Sequence, residues 1–359
     1  MKQNSSTIKE IIRDAKKGKM FILVDDKDRE NEGDLVVPAS KVNPQKINFM
    51  AKHGRGLICL ALTSKKVKKL NLPLMSLINK SRTQTAFTVS IESKKGISTG
   101  ISAYDRAKTI RVAIKPSSSK KDIVSPGHVF PLVSKNGGVL ERTGHTEASV
   151  DISKLAKLNP SAVICEVMNE DGTMARYKDL IPFAKKHRLK IAKIEDLISY
   201  RLKNERLIKC ISSKKIKIKK FGNFDLKTFK SKLDQSEHYA ITKGKIISGK
   251  ASRVRVISTN LINSFFNFNK DIFKNSLKHL NKFNNFALIL VKGSNPSLTS
   301  SESSQILRYY GVGAQIIKEL KIKNMILVSR SRKRIIALKG YGIRITKQEI
   351  IKWKLKSAL

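Results

Sequence analysis

Met20-Phe21-Ile22-Leu23-Val24 runs straight into Asp25-Asp26-Lys27-Asp28-Arg29-Glu30-Asn31-Glu32-Gly33-Asp34, and Leu35-Val36-Val37 follows at once. Both apolar runs are short and unbroken, the pattern of buried strands. Between them eight of ten side chains are ionised, and six of the eight are acidic, in a chain of formal net charge +45. Crowded carboxylates repel one another unless a cation or a proton relieves them. An arbitrary acidic loop is usually a solvated turn. Here the basic Arg29, the flexible Gly33 and the flanking strands favour a metal or polyol site.

Outward from this loop, strands and helices alternate. Ser5 or Ser6 is expected to cap a first helix whose Ile8, Ile11, Ile12 and Ala15 share a face, and Gly18 ends it. Asn43-Pro44 reads as cap plus first-turn proline for a helix to about Lys52. Leu57 to Leu62 predicts a buried strand, Phe87 to Ile91 an alternating one, and Val129 to Val133 another after a Pro126-Gly127 turn. Ser102 and Asp105 have capping-box spacing, and Pro116 with Ser117-Ser118-Ser119 ends their helix. A helix is predicted from Thr146, a strand over 162–167, a helix over 177–186 and a short strand over 190–193. The expected architecture is α+β, a layered mixed sheet flanked by helices, followed by a smaller α/β unit. That second unit has apolar segments at 286–291 and 325–328. Lys203, Lys209, Lys214, Lys215, Lys217, Lys219 and Lys220 mark 202–220 as a basic linker, which divides the chain into domains 1–201 and 221–359.

Length and composition agree with two domains: 359 residues, 40% of them apolar, can build two cores. The first residues, Met1 to Lys9, are polar and carry no apolar signal, and no run is long enough for a membrane span. Cys59, Cys165 and Cys210 are odd in number and far apart, which fits a reducing, cytoplasmic setting. The net charge is +17 over residues 1–200 and +28 over 201–359. Its basic residues are spread rather than striped, and aromatics are only 6%, so specific nucleic-acid binding is not expected.

Several segments carry groups suited to chemistry. Arg142-Thr143-Gly144-His145-Thr146 opens a predicted helix, where free N–H groups and the helix dipole make a phosphate seat as readily as a plain cap. Arg142 would add a bidentate contact and Thr146 a hydroxyl. His145 alone reads as a ligand or a surface imidazole, and His128 alone as a polar residue at a strand edge. Glu166 stands inside an apolar strand. Burial there would raise its pKa and suit it to proton transfer, unless it faces solvent at an edge. Cys59 and Cys165 read as core packing.

The run 28–34 resembles the signature of 3,4-dihydroxy-2-butanone 4-phosphate synthases. The likeness recurs at Ser98 to Arg106, Pro126 to Leu132, Arg142 to Ala148 and Cys165 to Gly172, in order through roughly 200 residues. The resemblance implies conversion of ribulose 5-phosphate to 3,4-dihydroxy-2-butanone 4-phosphate and formate. It implies Glu30 and His145 as metal ligands for Mg2+ or Mn2+, two ions per active site. It implies His128 and Glu166 as acid/base residues, and Arg29, Glu30, Asp34, Arg142, Thr143, Gly144, His145, Thr146 and Glu166 as substrate contacts. A homodimer with sites near the subunit interface is implied as well.

The second half is similar to GTP cyclohydrolase II at Glu237 to Gly244, Arg253 to Val256, Tyr310 to Gln315 and Ala337 to Gly342. That family's three zinc cysteines have no counterpart in 257–277, and its Arg-Gly-Arg-Gly segment is missing near 295–304. This half is therefore expected to keep the fold without the activity and without zinc. The alternatives are a bifunctional enzyme that retains the cyclohydrolase, or a basic nucleic-acid-binding protein.

Overall fold

The computed structural model describes residues 5–26, 29–76, 78–79, 83, 85–232, 235–246, 250–259, 268–292, 302–331 and 342–352. It divides into two compact units, the first ending at Ile198 and the second opening at Ser199.

In the first unit the strands are β1 (Phe21–Val24), β2 (Gly33–Pro38), β3 (Cys59–Thr63), β4 (Ile91–Ser93), β5 (Ile123–Ser134), β6 (Ser161–Glu166) and β7 (Lys190–Lys193). They form one mixed sheet in the order β4-β5-β3-β6-β2-β1-β7. The helices are α1 (Ile8–Lys16), α2 (Pro44–Phe49), α3 (Ser64–Leu70), α4 (Ala103–Ile114), α5 (His145–Leu155), α6 (Tyr177–Lys186) and α7 (Ile194–Asn204). β1 and β2 are buried along their whole length, as their unbroken apolar runs require, and the acidic loop joins them as an antiparallel pair. Ile22, Leu35, Val37, Leu60, Leu62, Val163 and Cys165 belong to one core.

Several boundaries differ from expectation. Thr7, not Ser5 or Ser6, caps α1, because only from Thr7 does Glu10 fall three residues on and close a capping box. Ser102 accepts the Asp105 N–H, but the Asp105 carboxylate turns to Ser98 and Gly100 rather than closing a box. Phe87 and Thr88 make only isolated bridges, to Leu132 and Leu74, and the strand proper is Ile91–Ser93. Thr88 donates to the carbonyl of Pro131, which has no N–H to return, so no ladder grows there. Pro126-Gly127 is not a turn: it lies within the long β5, so His128 is a strand residue.

The second unit holds β8 (Ile208–Ile218), β9 (Gly222–Ser231), β10 (Glu237–Lys243), β11 (Ser252–Thr259), β12 (Phe286–Lys292), β13 (Asn324–Ser329) and β14 (Arg344–Ile350). Their order is β14-β13-β11-β12-β10-β9-β8, with α8 (Phe268–Leu280) and α9 (Glu302–Glu319) between strands. The stretch 202–220 is thus no linker. It completes α7 and then forms β8, an edge strand paired with β9 along its length. Ile216 and Ile218 pack inward beside Phe221 while the lysines point out. Lysines on an edge strand deter pairing with another chain, which explains a charge run that looks like linker sequence.

Candidate active site

Asp25 directly follows β1 and organises the loop it opens. Its carboxylate accepts the N–H groups of Glu30 (3.3 Å) and Glu32 (2.9 Å) and the Arg29 guanidinium (2.6 Å). From the other side Arg176 donates to the carbonyls of Glu30 (2.5 Å) and Asn31 (3.0 Å). Glu30 is therefore fixed through its main chain. Its side chain, which also pairs with Arg29, lines a cavity of about 520 Å3.

His145 is the first residue of α5. Gly144 caps that helix with no side chain, and a Cβ there would fall 2.3 Å from the Arg142 guanidinium. The His145 Nδ1 lies 3.8 Å from Glu30 Oε2 and 3.8 Å from Asp34 Oδ1. Burial pushes the imidazole pKa down and keeps the ring neutral, as a ligand must be. Asp25, Glu30 and His145 each offer one ligand atom, all within 4.8 Å of one another. His145 Nε2 and Asp34 Oδ1 are buried with no hydrogen-bond partner. Orphaned polar atoms are expensive, and a divalent cation with its water shell would satisfy them. Two carboxylates and one imidazole suit Mg2+ or Mn2+, the imidazole favouring manganese somewhat.

Asp34 and Glu166 stand directly opposite on β2 and β6. Burial raises both carboxyls, and for Asp34 the Glu166 charge adds to it. Each of the two therefore keeps its proton to higher pH than an ordinary carboxyl. Glu166 Oε2 accepts the Leu57 N–H at 2.9 Å, and Gly56 makes room: a Cβ there would lie 2.6 Å from the same oxygen. Glu32 is raised too, by burial and then by Glu30.

Of the residues singled out from sequence, Arg29, Glu30, Asp34, Arg142, His145, Thr146 and Glu166 all line this cavity, and Thr143 and Gly144 sit in the turn that delivers His145. Arg142 is not turned freely to the cavity. It is buried, donating to Glu147 (2.7 Å), the Thr83 carbonyl (3.1 Å) and Thr85 Oγ1 (2.8 Å). His128 is not among the lining residues. It lies on β5, with β3 between it and the strand of Glu166, and its imidazole is 44% exposed and paired with Glu92. Sequence reasoning missed Asp25 as loop organiser and the 74–76 segment with Thr83, Thr85, Ala86 and Phe87 as cavity wall. Asp25 was visible only as one carboxylate among six, and the wall segments have no periodicity to betray them.

In the second unit Gln315 is a packing latch. It accepts the Leu207 N–H at 2.8 Å and donates to the carbonyls of Leu202 (2.9 Å) and Glu205 (2.8 Å). His238 accepts the Lys292 N–H through Nδ1. Among the described residues the group of three able to hold a metal is Asp25, Glu30 and His145. Of the segments where the cyclohydrolase residues were sought, 257–277 and 295–304, residues 260–267 and 295–301 lie outside the described residues.

Fold and cavity together are those of a two-unit α+β enzyme for a small polar substrate. The family model for 3,4-dihydroxy-2-butanone 4-phosphate synthase matches residues 9–200, and the model for GTP cyclohydrolase II matches 209–291 and 275–349. A 3,4-dihydroxy-2-butanone 4-phosphate synthase of Photobacterium phosphoreum is 42% identical over 362 residues, which cover 95% of this chain and 98% of that one. The crystal structure of RibBX, a two-domain 3,4-dihydroxy-2-butanone 4-phosphate synthase from A. baumannii, superposes with a TM-score of 0.83 at 39% identity, covering 97% of this chain and 100% of that one. A synthase crystallised in complex with two magnesium ions matches 55% of this chain and 98% of its own, at 37% identity and a TM-score of 0.53. The chain belongs to the 3,4-dihydroxy-2-butanone 4-phosphate synthase family, and a GTP cyclohydrolase II-like unit follows the synthase unit.

Proposed function

We propose that this protein converts D-ribulose 5-phosphate to 3,4-dihydroxy-2-butanone 4-phosphate and formate in riboflavin biosynthesis, with Glu30 and His145 holding divalent metal. The observation that carries the reading is one cavity in which a carboxylate–imidazole cluster stands beside two proton-holding carboxyls at a helix start. A bound divalent cation polarises the substrate carbonyl and takes up the charge that develops on its oxygens. Glu166 exchanges protons with the sugar carbons and hydroxyls, and its pKa, raised by burial, makes it a stronger base than an ordinary carboxylate. Proton removal, loss of water and a skeletal shift are followed by addition of one water, which cleaves off C1 as formate; the water lost and the water added cancel, and the five substrate carbons end as four plus one. Arg29 and Asp34 contact the sugar hydroxyls. The open N-terminus of α5, with Thr143, Gly144 and Thr146, seats the phosphate. Arg142 supports that seat by holding the Thr83–Thr85 wall. Ribulose 5-phosphate with Mg2+ is expected to yield one formate per substrate, and chelation to abolish it. No formate under any divalent metal would remove the reading.

A homodimer is the second element of the reading. His128 is exposed and apart from the cavity of its own chain, and Leu74, Met75, Ile78, Ile101 and Tyr104 are exposed apolar side chains in the same unit. A second copy would cover them and bring His128 to the neighbouring cavity. Light scattering is expected to give twice the chain mass. Co-refolding His128→Asn with Glu166→Gln is expected to give more activity than either impaired variant alone, since a mixed dimer rebuilds one intact site. A fully active monomer would contradict the dimer.

The second unit is read as a cyclohydrolase fold without its chemistry, with the division between the units at Ile198/Ser199 inside α7 and β8 in the second. A catalytic zinc site needs three protein ligands and an open position. The second half offers two histidines, His238 and His279, and one cysteine, Cys210. Metal analysis of the full-length protein is expected to find no stoichiometric zinc, and GTP with added zinc to release neither formate nor pyrophosphate. Either product would establish the bifunctional alternative. Among the described residues no helix is long and apolar enough to cross a membrane, and a cytoplasmic enzyme is proposed.

A further inference from the structure

Glu92 belongs to none of the motifs that mark the site, yet the fold builds a socket for its carboxylate. Ile91 is paired with Val129, and the register of β4 against β5 then slips between Ile91 and Glu92. Such an irregularity re-aims a side chain, and Glu92 Oε1 meets the Nδ1 of His128. Two glycines leave the space. A Cβ on Gly100, whose φ is +88°, would fall 1.7 Å from Glu92 Oε1, and one on Gly127 would fall 2.4 Å from Glu92 Cγ. The Gly100 turn is itself fixed: Asp105 accepts the N–H groups of Gly100 (3.1 Å) and Ser98 (3.2 Å) and the Ser98 hydroxyl (2.8 Å). From the other side Ser90 ties down the backbone that carries His128. Its hydroxyl accepts the Gly127 N–H at 3.0 Å, and its carbonyl accepts the Ser125 hydroxyl at 2.6 Å. Glu92 is the sheltered member of the pair, with a side chain 16% exposed against 44% for His128.

We propose that Glu92 is the positioning residue of His128: its carboxylate receives the Nδ1–H, fixes the ring orientation and tautomer, and leaves Nε2 as the proton-exchanging atom. A carboxylate in this place does two things. It selects the tautomer with its lone pair on Nε2, and it stabilises the imidazolium formed when that nitrogen takes a proton. The socket explains why the polypeptide spends two glycines and a three-bond aspartate on one surface-proximal glutamate. The inference rests on the reading in which His128 exchanges protons with the substrate.

The test is steady-state formate release by the full-length enzyme with Mg2+, comparing Glu92→Gln, Glu92→Asp, His128→Asn and the double variant Glu92→Gln/His128→Asn. Glu92→Gln is expected to lower kcat roughly 10- to 100-fold with KM nearly unchanged, the range for carboxylates that orient metal-bound imidazoles and below the ~10^4 of a fully buried carboxylate–histidine pair. Glu92→Asp, which keeps the charge, is expected to recover part of that loss. In the His128→Asn background Glu92→Gln is expected to cost nothing further, because the residue it serves is gone. Unchanged kcat in Glu92→Gln, a loss confined to KM, or losses that multiply in the double variant would overturn the proposal. Full activity of His128→Asn alone would also overturn it, through the role of His128 and not through the pairing. If Glu92→Gln fails to fold, Glu92→Asp decides in two backgrounds: a stable Asp variant that is slower than wild type only where His128 is present supports the proposal, and one with unchanged kcat, or equally slowed with and without His128, refutes it.

Discussion

Glu30→Gln is expected to lower kcat/KM for formate release about a thousandfold and to leave the melting temperature within a few degrees of wild type. Three physical points set the size and the asymmetry. A neutral amide is a poor ligand for a hard cation, and divalent-metal assistance contributes several kcal/mol, about 1.4 kcal/mol for each factor of ten. The loop does not depend on the Glu30 carboxylate, because Asp25 and Arg176 hold the Glu30 N–H and C=O. The amide also keeps the size of the side chain, so the cavity retains its shape. The check is formate release over a magnesium titration beside a thermal melt of each protein. Activity equal to wild type at saturating magnesium would remove Glu30 from the metal site, whereas a lost melting transition would show that the loop needed its charge.

Glu166→Gln is expected to lower kcat by about three orders of magnitude, within the range that a positioned proton-transfer group contributes. Stability should move the other way. The amide oxygen can still accept the Leu57 N–H, while the buried charge facing Asp34 disappears. Removing one of two crowded carboxyls lets Asp34 ionise more easily, so its pKa should fall toward the ordinary carboxylate range. The melting temperature at neutral pH is therefore expected to hold or rise. A large fall in melting temperature with modest loss of kcat would make Glu166 a structural residue and transfer the proton-exchange role elsewhere.

The outcomes above separate what the residues say locally from what the fold adds. The loop Asp25 to Asp34 was legible because unbroken apolar runs on both sides leave a six-carboxylate turn nowhere else to go. The helix starting at His145 was legible from the Gly144 turn and the apolar spacing behind it. The helix over 177–186 and the strand over 190–193 match the sequence reading, the helix even though Pro182 lies inside it. Where signals conflicted the reading failed. The basic stretch 202–220 looked like linker because lysines outnumber its isoleucines, yet pairing with β9 makes an edge strand of it. Pro126-Gly127 looked like a turn, yet β5 runs through it.

Local sequence thus determined most elements and the acidic loop, which rest on spacing along one segment, and the motifs that carry the family resemblance named seven of the cavity's lining groups. Only the tertiary structure decided how those groups act on one another. Asp34 and Glu166 share a raised titration because β2 and β6 pair in one register, a relation 132 positions apart in the chain and invisible to any local pattern. Arg142, a promising phosphate ligand on paper, is buried against Glu147 and the Thr83–Thr85 segment, because a guanidinium in a dry site turns to the nearest carboxylate and carbonyls. His128 is placed outside its own chain's cavity and beside Glu92 by the sheet order, since interposing β3 between two strands sets their side chains on the order of 10 Å apart whatever motif they carry.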